Sequence, residues 1–222
     1  MSTKLKVLVV EDNPANIEAA KKQLVNYDLT VISSYDEAHY VITTIIDEDV
    51  LKNMASIEFP DHKVSVTWSG SFRKLYGFDI VDPDGKKEGH KMIGWKKDHP
   101  LYDFVKRAEV ACGRPAFDVV LTDVMMPKHR FINSEGKLVV DSEMPYGPMI
   151  AFRAIQFGIR RVGILTSGNH HKNHFIYAFH GLSGFTSGDI KLCCSQGDDL
   201  LECKNDAGES VKNWKALLNR LL

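Results

Sequence analysis

Three short runs in this chain are apolar almost from end to end: Lys6–Val10 (K-V-L-V-V), residues 117–122 (F-D-V-V-L-T) and Arg161–Thr166 (R-V-G-I-L-T). A strand with one wet face alternates apolar and polar residues. A strand covered on both faces does not, and such strands belong to parallel sheets packed between helices. Residues 190–194 (I-K-L-C-C) form another such run, and residues 29–33 read as a further strand.

Helical patterns separate these runs. Residues 15–25 carry Ile17, Ala20, Leu24 and Val25 at helical spacing, opened by Asn13 as cap and Pro14 as first helical residue. Residues 36–50 carry Ala38, Val41, Ile42, Ile45 and Ile46 on one face, and Gly158 closes a helix over residues 149–157. A short helix is expected over residues 170–180. A last one is expected over residues 211–222, with Val211, Trp214, Leu217, Leu218 and Leu221 on one side. Strands alternating with helices imply right-handed crossovers. Five such units predict an α/β, flavodoxin-like, doubly wound five-stranded parallel sheet of order 2-1-3-4-5. Ligands of such sheets bind outside the carboxyl ends of the strands.

Two segments exceed five minimal units, so the 222 residues read as a single domain interrupted at about 53–115 and 128–146. In the first, residues 64–68 alternate like a strand, Asp84-Gly85 signals a turn and residues 101–110 suit a helix. In the second, residues 133–136 (N-S-E-G) form a turn between two short apolar stretches.

Composition narrows the function classes. A formal net charge of -1 gives no electrostatic footprint for nucleic acid. No stretch reaches 18 apolar residues, so no membrane span is expected. The N-terminus leads straight into a strand-like run and does not read as a signal peptide. Cys112, Cys193, Cys194 and Cys203 do not make a disulfide framework, which fits a cytoplasmic setting.

Glu11 and Asp12 follow the first strand, and Asp123 ends the third. In the expected order these strands are neighbours, so the three carboxylates converge. Like charges so close repel unless a cation lies among them, and Mg2+ suits an all-oxygen site. Asp123 can act as nucleophile toward an activated phosphoryl group. Thr166, at the end of the next strand, and a lysine after the fifth can then bind the new phosphate.

The segments V-L-V-V-E-D-N-P (residues 7–14) and D-V-V-L-T-D-V-M-M-P (residues 118–127), in this order, resemble the signature segments of response-regulator receiver domains. I-L-T-S (residues 164–167) resembles the family's switch-hydroxyl strand, and Tyr146-Gly147 before the third helix fits its pattern as well. The resemblance covers about residues 4–50, 115–127 and 145–222. It implies two-component phosphorelay signalling, with Asp123 as phosphoacceptor and Thr166 as switch residue. Glu11, Asp12, Asp123 and the backbone carbonyl of Met125 would hold Mg2+. The phosphoryl donor would be a histidine kinase or phosphotransfer protein, and output would pass to a downstream protein partner.

The family's lysine falls on Lys204, or on Lys191 if residues 189–194 are the fifth strand. Residues 128–146 leave the sheet beside Asp123 and are placed to act as a lid. His170, His171 and His174 follow the fourth strand; they read as polar loop residues, as part of the phosphoryl pocket or as a separate metal site. Two other functions fit the same residues: a degenerate receiver that binds protein without phosphorylation, and a metal-dependent hydrolase using the acids with the three histidines.

Overall fold

The computed structural model describes residues 4–61, 63–69, 74–81, 83–85, 87–91, 102–166, 184–196 and 203–222. The chain divides into two compact units, residues 1–42 with 117–222, and residues 43–116.

The first unit is built on a six-stranded, mostly parallel sheet. Its strands are β1 (Lys6–Val10), β2 (Asp28–Ile32), β8 (Val119–Thr122), β13 (Arg161–Thr166), β14 (Phe185–Ser187) and β15 (Ile190–Gln196), in spatial order β14-β15-β13-β8-β1-β2. Every pairing is parallel except that of the edge strand β14 with β15. Because successive side chains point to opposite faces, the apolar runs serve two cores at once. Leu8, Val10, Val120, Val162 and Ile164 pack on one face with Ala38 of α2 (Tyr35–Val41) and Ile150, Ala151 and Ala154 of α5 (Gly147–Gln156). Val7, Val9, Val119, Leu121 and Leu165 pack on the other with Ala19 and Ala20 of α1 (Pro14–Gln23). Trp214, Leu217, Leu218 and Leu221 of α6 (Trp214–Leu221) complete that face. This two-sided burial is why the strands are not amphipathic in sequence.

Local signals set the helix ends. The Asn13 carboxamide accepts from the Ala15 and Asn16 amides and opens α1. Gly158, at φ 81°, supplies the left-handed residue after α5. Gly163 faces the Leu217 side chain so closely that an added Cβ would stand 2.8 Å from it, so the small residue lets α6 lie on the sheet.

Two helix boundaries differ from expectation. The helix expected over residues 36–50 stops at Val41. A β-branched run, Ile42-Thr43-Thr44-Ile45-Ile46, follows, and β3 (Thr44–Ile46) pairs with β7 (Gly113–Pro115). Asp47 then caps a new helix, α3 (Glu48–Glu58), through the Asp49 and Val50 amides. At the C-terminus, Val211 belongs to a strand rather than to the helix. The Asn213 carboxamide caps α6 at the Ala216 amide, so that helix begins at Trp214.

The segment after β8 carries β9 (Met126–Pro127), β10 (Arg130–Ile132), β11 (Leu138–Val140) and β12 (Glu143–Met144). β10 and β11 form a hairpin, and β12 pairs back on β9. Its turn lies where the sequence places it, with the Asn133 carboxamide accepting from the Glu135 and Lys137 amides. β16 (Cys203–Lys204) and β17 (Ser210–Val211) form a second small hairpin before α6.

The second unit contains β3, α3 and β7 with a three-stranded antiparallel sheet. That sheet comprises β4 (Lys63–Ser69), β5 (Lys74–Val81) and β6 (Lys87–Lys91). α4 (Tyr102–Cys112) lies against α3: Phe104 meets Phe59 edge-on at 5.1 Å, and Arg107 forks onto Glu58 at 2.7 and 2.8 Å. Among the described residues, no helix is long and apolar enough to cross a membrane.

Candidate functional site

β1 and β8 are direct neighbours, with Val10 opposite Thr122, so the residues after each strand meet at the carboxyl edge of the sheet. Two backbone bonds fix these exits. The Asp123 amide donates to the Val10 carbonyl at 2.9 Å, and the Glu11 amide to the Ile32 carbonyl at 3.0 Å. Glu11, Asp12 and Asp123 are thereby brought together, with one carboxylate oxygen from each lying within 4.8 Å of the others. Glu11 and Asp123 are buried and Asp12 is half-buried.

Among the described residues, the lysine that enters this cluster is Lys212. Its ammonium lies 2.5 Å from Glu11 Oε2 and 2.7 Å from Asp123 Oδ2, with the side chain fully buried. The remaining oxygens are also held: Glu11 Oε1 accepts from the Asn13 amide, and Asp123 Oδ1 from the Val124 amide at 2.6 Å. Lys204 is elsewhere, donating to Ser210 Oγ across the β16–β17 hairpin. Lys191 is elsewhere too, on β15, donating to the Leu222 carbonyl. The assignment of the site lysine to Lys204 or Lys191 therefore gives way to Lys212. Reading the last helix from residue 211 hid Lys212 inside it. The available signal was Asn213, whose capping side chain starts the helix after it and leaves Lys212 outside, between β17 and the cap.

Burial decides the electrostatics. Glu11 is pushed above the ordinary carboxylate range chiefly by desolvation. Lys212 opposes that shift and Asp123 adds to it. Asp12 is also pushed up, again mainly by burial, with the charge of Asp123 adding to it. Among the described residues the three carboxylates face the Lys212 ammonium, with the Arg130 guanidinium acting on Asp12. The candidate donors among the described residues are the three carboxylates, hard oxygens suited to a cation such as Mg2+ or Ca2+.

Other expected residues fall around the same rim. Thr166 ends β13 and is buried. Ile164 stands opposite Thr122, so Thr166 lies on the same carboxyl edge as Asp123. Met125 lies in the turn between Asp123 and β9. Gly147 opens α5 against this turn, its amide donating to the Val124 carbonyl. A Cβ at position 147 would stand 1.8 Å from the Asp123 carbonyl oxygen, so only glycine fits without moving the Asp123 backbone. His170, His171 and His174 lie outside the described residues.

The 128–146 segment touches this rim at residues no motif signalled. Arg130 Nη1 donates to the Asp12 carbonyl at 2.9 Å. His129 Nδ1 lies 2.7 Å from Asp36 Oδ2, and the Asp36 amide donates to the Lys128 carbonyl. Glu143 is raised by partial burial and by the charges of Asp12 and Asp123, which places it within the field of the acid cluster. The thiols of β15 take no visible part: Cys194 is pushed up to about 12 by burial, and so stays a protonated core group.

Comparison with known proteins returned no matching family model, no matching curated protein and no matching solved structure.

Proposed function

We propose that this chain is a receiver-type phosphoacceptor module of a two-component phosphorelay, with Asp123 as the residue phosphorylated. The observation that carries this reading is the Lys212 ammonium bridging Glu11 and Asp123, at the point where β1 and β8 leave the sheet. We read the succession β2, β1, β8, β13 and β15 within the six-stranded sheet, leaving aside the antiparallel edge strand β14, as the order 2-1-3-4-5. That supports a flavodoxin-like fold, in which ligands bind at the carboxyl edge.

In the proposed reaction an Asp123 carboxylate oxygen attacks the phosphorus of an activated phosphoryl group. A new oxygen–phosphorus bond forms, and the bond to the donor's nitrogen or oxygen breaks with its electron pair leaving on the donor. Lys212, in the role expected of Lys204, pairs with the phosphoryl oxygens as negative charge arrives on Asp123. Thr166 offers its hydroxyl to the same oxygens. Glu11, Asp12, Asp123 and the Met125 carbonyl would hold Mg2+. The ion would supply charge neutralisation to the transferring group. The donor is a histidine kinase or a phosphotransfer protein, and output passes to a protein partner through a surface change that follows phosphorylation.

Intact mass after incubation with acetyl phosphate and Mg2+ tests the proposal. Wild type should gain one phosphoryl group, and Asp123→Asn none. Tight Mg2+ binding with no mass gain in wild type would instead favour a binding module that is never phosphorylated. The hydrolase reading draws on His170, His171 and His174, which lie outside the described residues, and nothing in the acid pocket adds to it.

A further inference from the structure

Lys212 is not carried by the main sheet. It lies between the two-residue strand β17 and the cap of α6, where little backbone structure surrounds it. Both of its peptide groups are nevertheless bound, and both by amide side chains of α1. The Lys212 amide donates to Asn16 Oδ1 at 3.0 Å, and the Lys212 carbonyl accepts from Gln23 Nε2 at 3.0 Å. The same two residues grip the start of α6. Trp214 Nε1 donates to the Asn16 carbonyl at 3.0 Å, and the Lys215 amide to Gln23 Oε1 at 3.2 Å.

Asn16 and Gln23 are seven residues apart, two turns along one helix face, with Ala19 and Ala20 between them in the core. Polar side chains on a packed face are costly unless paired. Here their partners are the peptide groups of the lysine that enters the acid pocket. The Lys212 side chain is fully buried, and its ammonium stands 5.4 Å from the centre of the Trp214 ring. Where the backbone of residue 212 sits therefore decides whether the ammonium reaches Glu11 and Asp123 together.

We propose that Asn16 and Gln23 are positioning residues that clamp Lys212 for phosphoryl binding, an inference that rests on the receiver reading of Asp123. The two ends of the clamp differ in chemistry. Position 16 supplies acceptors, whereas position 23 must supply a donor to the Lys212 carbonyl, which a carboxylate cannot do.

Two measurements on the full chain test this. The first is the initial rate of acetyl-phosphate labelling against Mg2+ concentration, for wild type, Asn16→Ala, Gln23→Glu, Lys212→Ala and the double variant Asn16→Ala with Lys212→Ala. The maximal rate should fall on the order of tenfold in Asn16→Ala and Gln23→Glu, because displacement of a catalytic group by about 1 Å is enough to do so. The half-saturating Mg2+ concentration should not change. Asn16→Ala should add nothing once Lys212 is gone. Gln23 is only half-buried, so its variant keeps the test open if Asn16→Ala does not fold. The second measurement is reductive methylation of Lys212, read by peptide mass mapping. Lys212 should be protected in wild type and several-fold more reactive in both single variants.

Wild-type labelling rates in the single variants, or an equal loss from Asn16→Ala with and without Lys212, would overturn the clamp. If wild type takes no phosphoryl group, the receiver reading falls by itself. Methylation then decides the clamp, which unchanged protection of Lys212 would overturn.

Discussion

On the proposed reading Lys212 has two roles, counter-ion to the buried acids and partner to the phosphoryl group, and the first is measurable by itself. Its ammonium offsets the burial of Glu11 and Asp123, so it is a structural counter-ion before any phosphoryl group arrives. Removing one partner of a buried ion pair leaves an uncompensated charge, at a cost of about 3–5 kcal/mol. Lys212→Met should therefore lower the unfolding free energy by about 3 kcal/mol in denaturant titrations, with part of the loss recovered in Lys212→Met/Glu11→Gln. A loss below about 0.5 kcal/mol, the range of surface changes, would mean the pair contributes nothing. At this scale the acids were legible in the sequence and the lysine was not. Glu11, Asp12 and Asp123 directly follow apolar strands, so strand adjacency alone brings them together. Lys212 follows a two-residue strand and precedes a helix cap, with Val211 continuing the helical apolar pattern backwards. Only the capping chemistry of Asn213 separated the two readings.

At the scale of elements, β1, β8, β13 and β15 were readable because each packs on both faces and leaves an apolar run, whereas the exposed edge strand β14 leaves none. The end of α2 is not legible in the sequence because a β-branched run can serve a helix face or a strand equally, and the pairing of β3 with β7 settles which. The β10–β11 hairpin was readable from its turn, but its function was not. Its attachments to the acid loop run through Arg130 to a backbone carbonyl and His129 to Asp36, which have no sequence signature. These attachments tie the hairpin to the loop that carries Asp12 and to the start of α2. Deleting residues 129–143 should shorten the lifetime of phosphorylated Asp123 several-fold and speed labelling by acetyl phosphate, both followed by intact mass over time. Unchanged rates in both directions would remove the lid role, leaving the hairpin as a surface feature. Arg130→Ala should reproduce part of the effect if the bond to the Asp12 carbonyl is what holds the hairpin down.

For the whole molecule, the acid cluster sets how stability responds to pH and to cations. Glu11 and Asp12 both have native pKa values raised chiefly by burial, with Asp123 adding to each shift and Lys212 opposing it. A raised native pKa means that the folded state holds its protons more tightly than the unfolded chain. The stability from these groups is thus fully present below their unfolded pKa values and is lost as pH rises through the folded ones. In EDTA, Tm should fall as pH is raised from about 4 through the carboxylate range toward neutrality. Millimolar Mg2+ should restore most of that loss at pH 7 and little at pH 4, because a ligand that binds only the folded state stabilises it by mass action. A Tm indifferent to Mg2+ at pH 7 would argue against a cation in this pocket.

The second unit poses a separate question, whether the acid pocket needs it. Its two ends are already joined to each other: the Ala116 amide donates to the Thr43 carbonyl at 3.0 Å, β3 pairs with β7, and the Asp47 amide donates to the Cys112 carbonyl. A segment that leaves and returns at neighbouring points can be replaced by a short linker, since closing a loop of a few residues costs little entropy. The core of the first unit draws its residues from 1–42 and 117–222, which include every residue of the acid cluster. Replacing residues 43–116 with a four- to six-residue Gly-Ser linker between Ile42 and Phe117 should therefore give a folded protein that still labels on Asp123 at a rate within a few-fold of the full chain. A folded product, by circular dichroism, that no longer takes the phosphoryl group would show that the second unit supplies something the pocket requires. A retained rate would assign residues 43–116 to a role outside the phosphoryl chemistry.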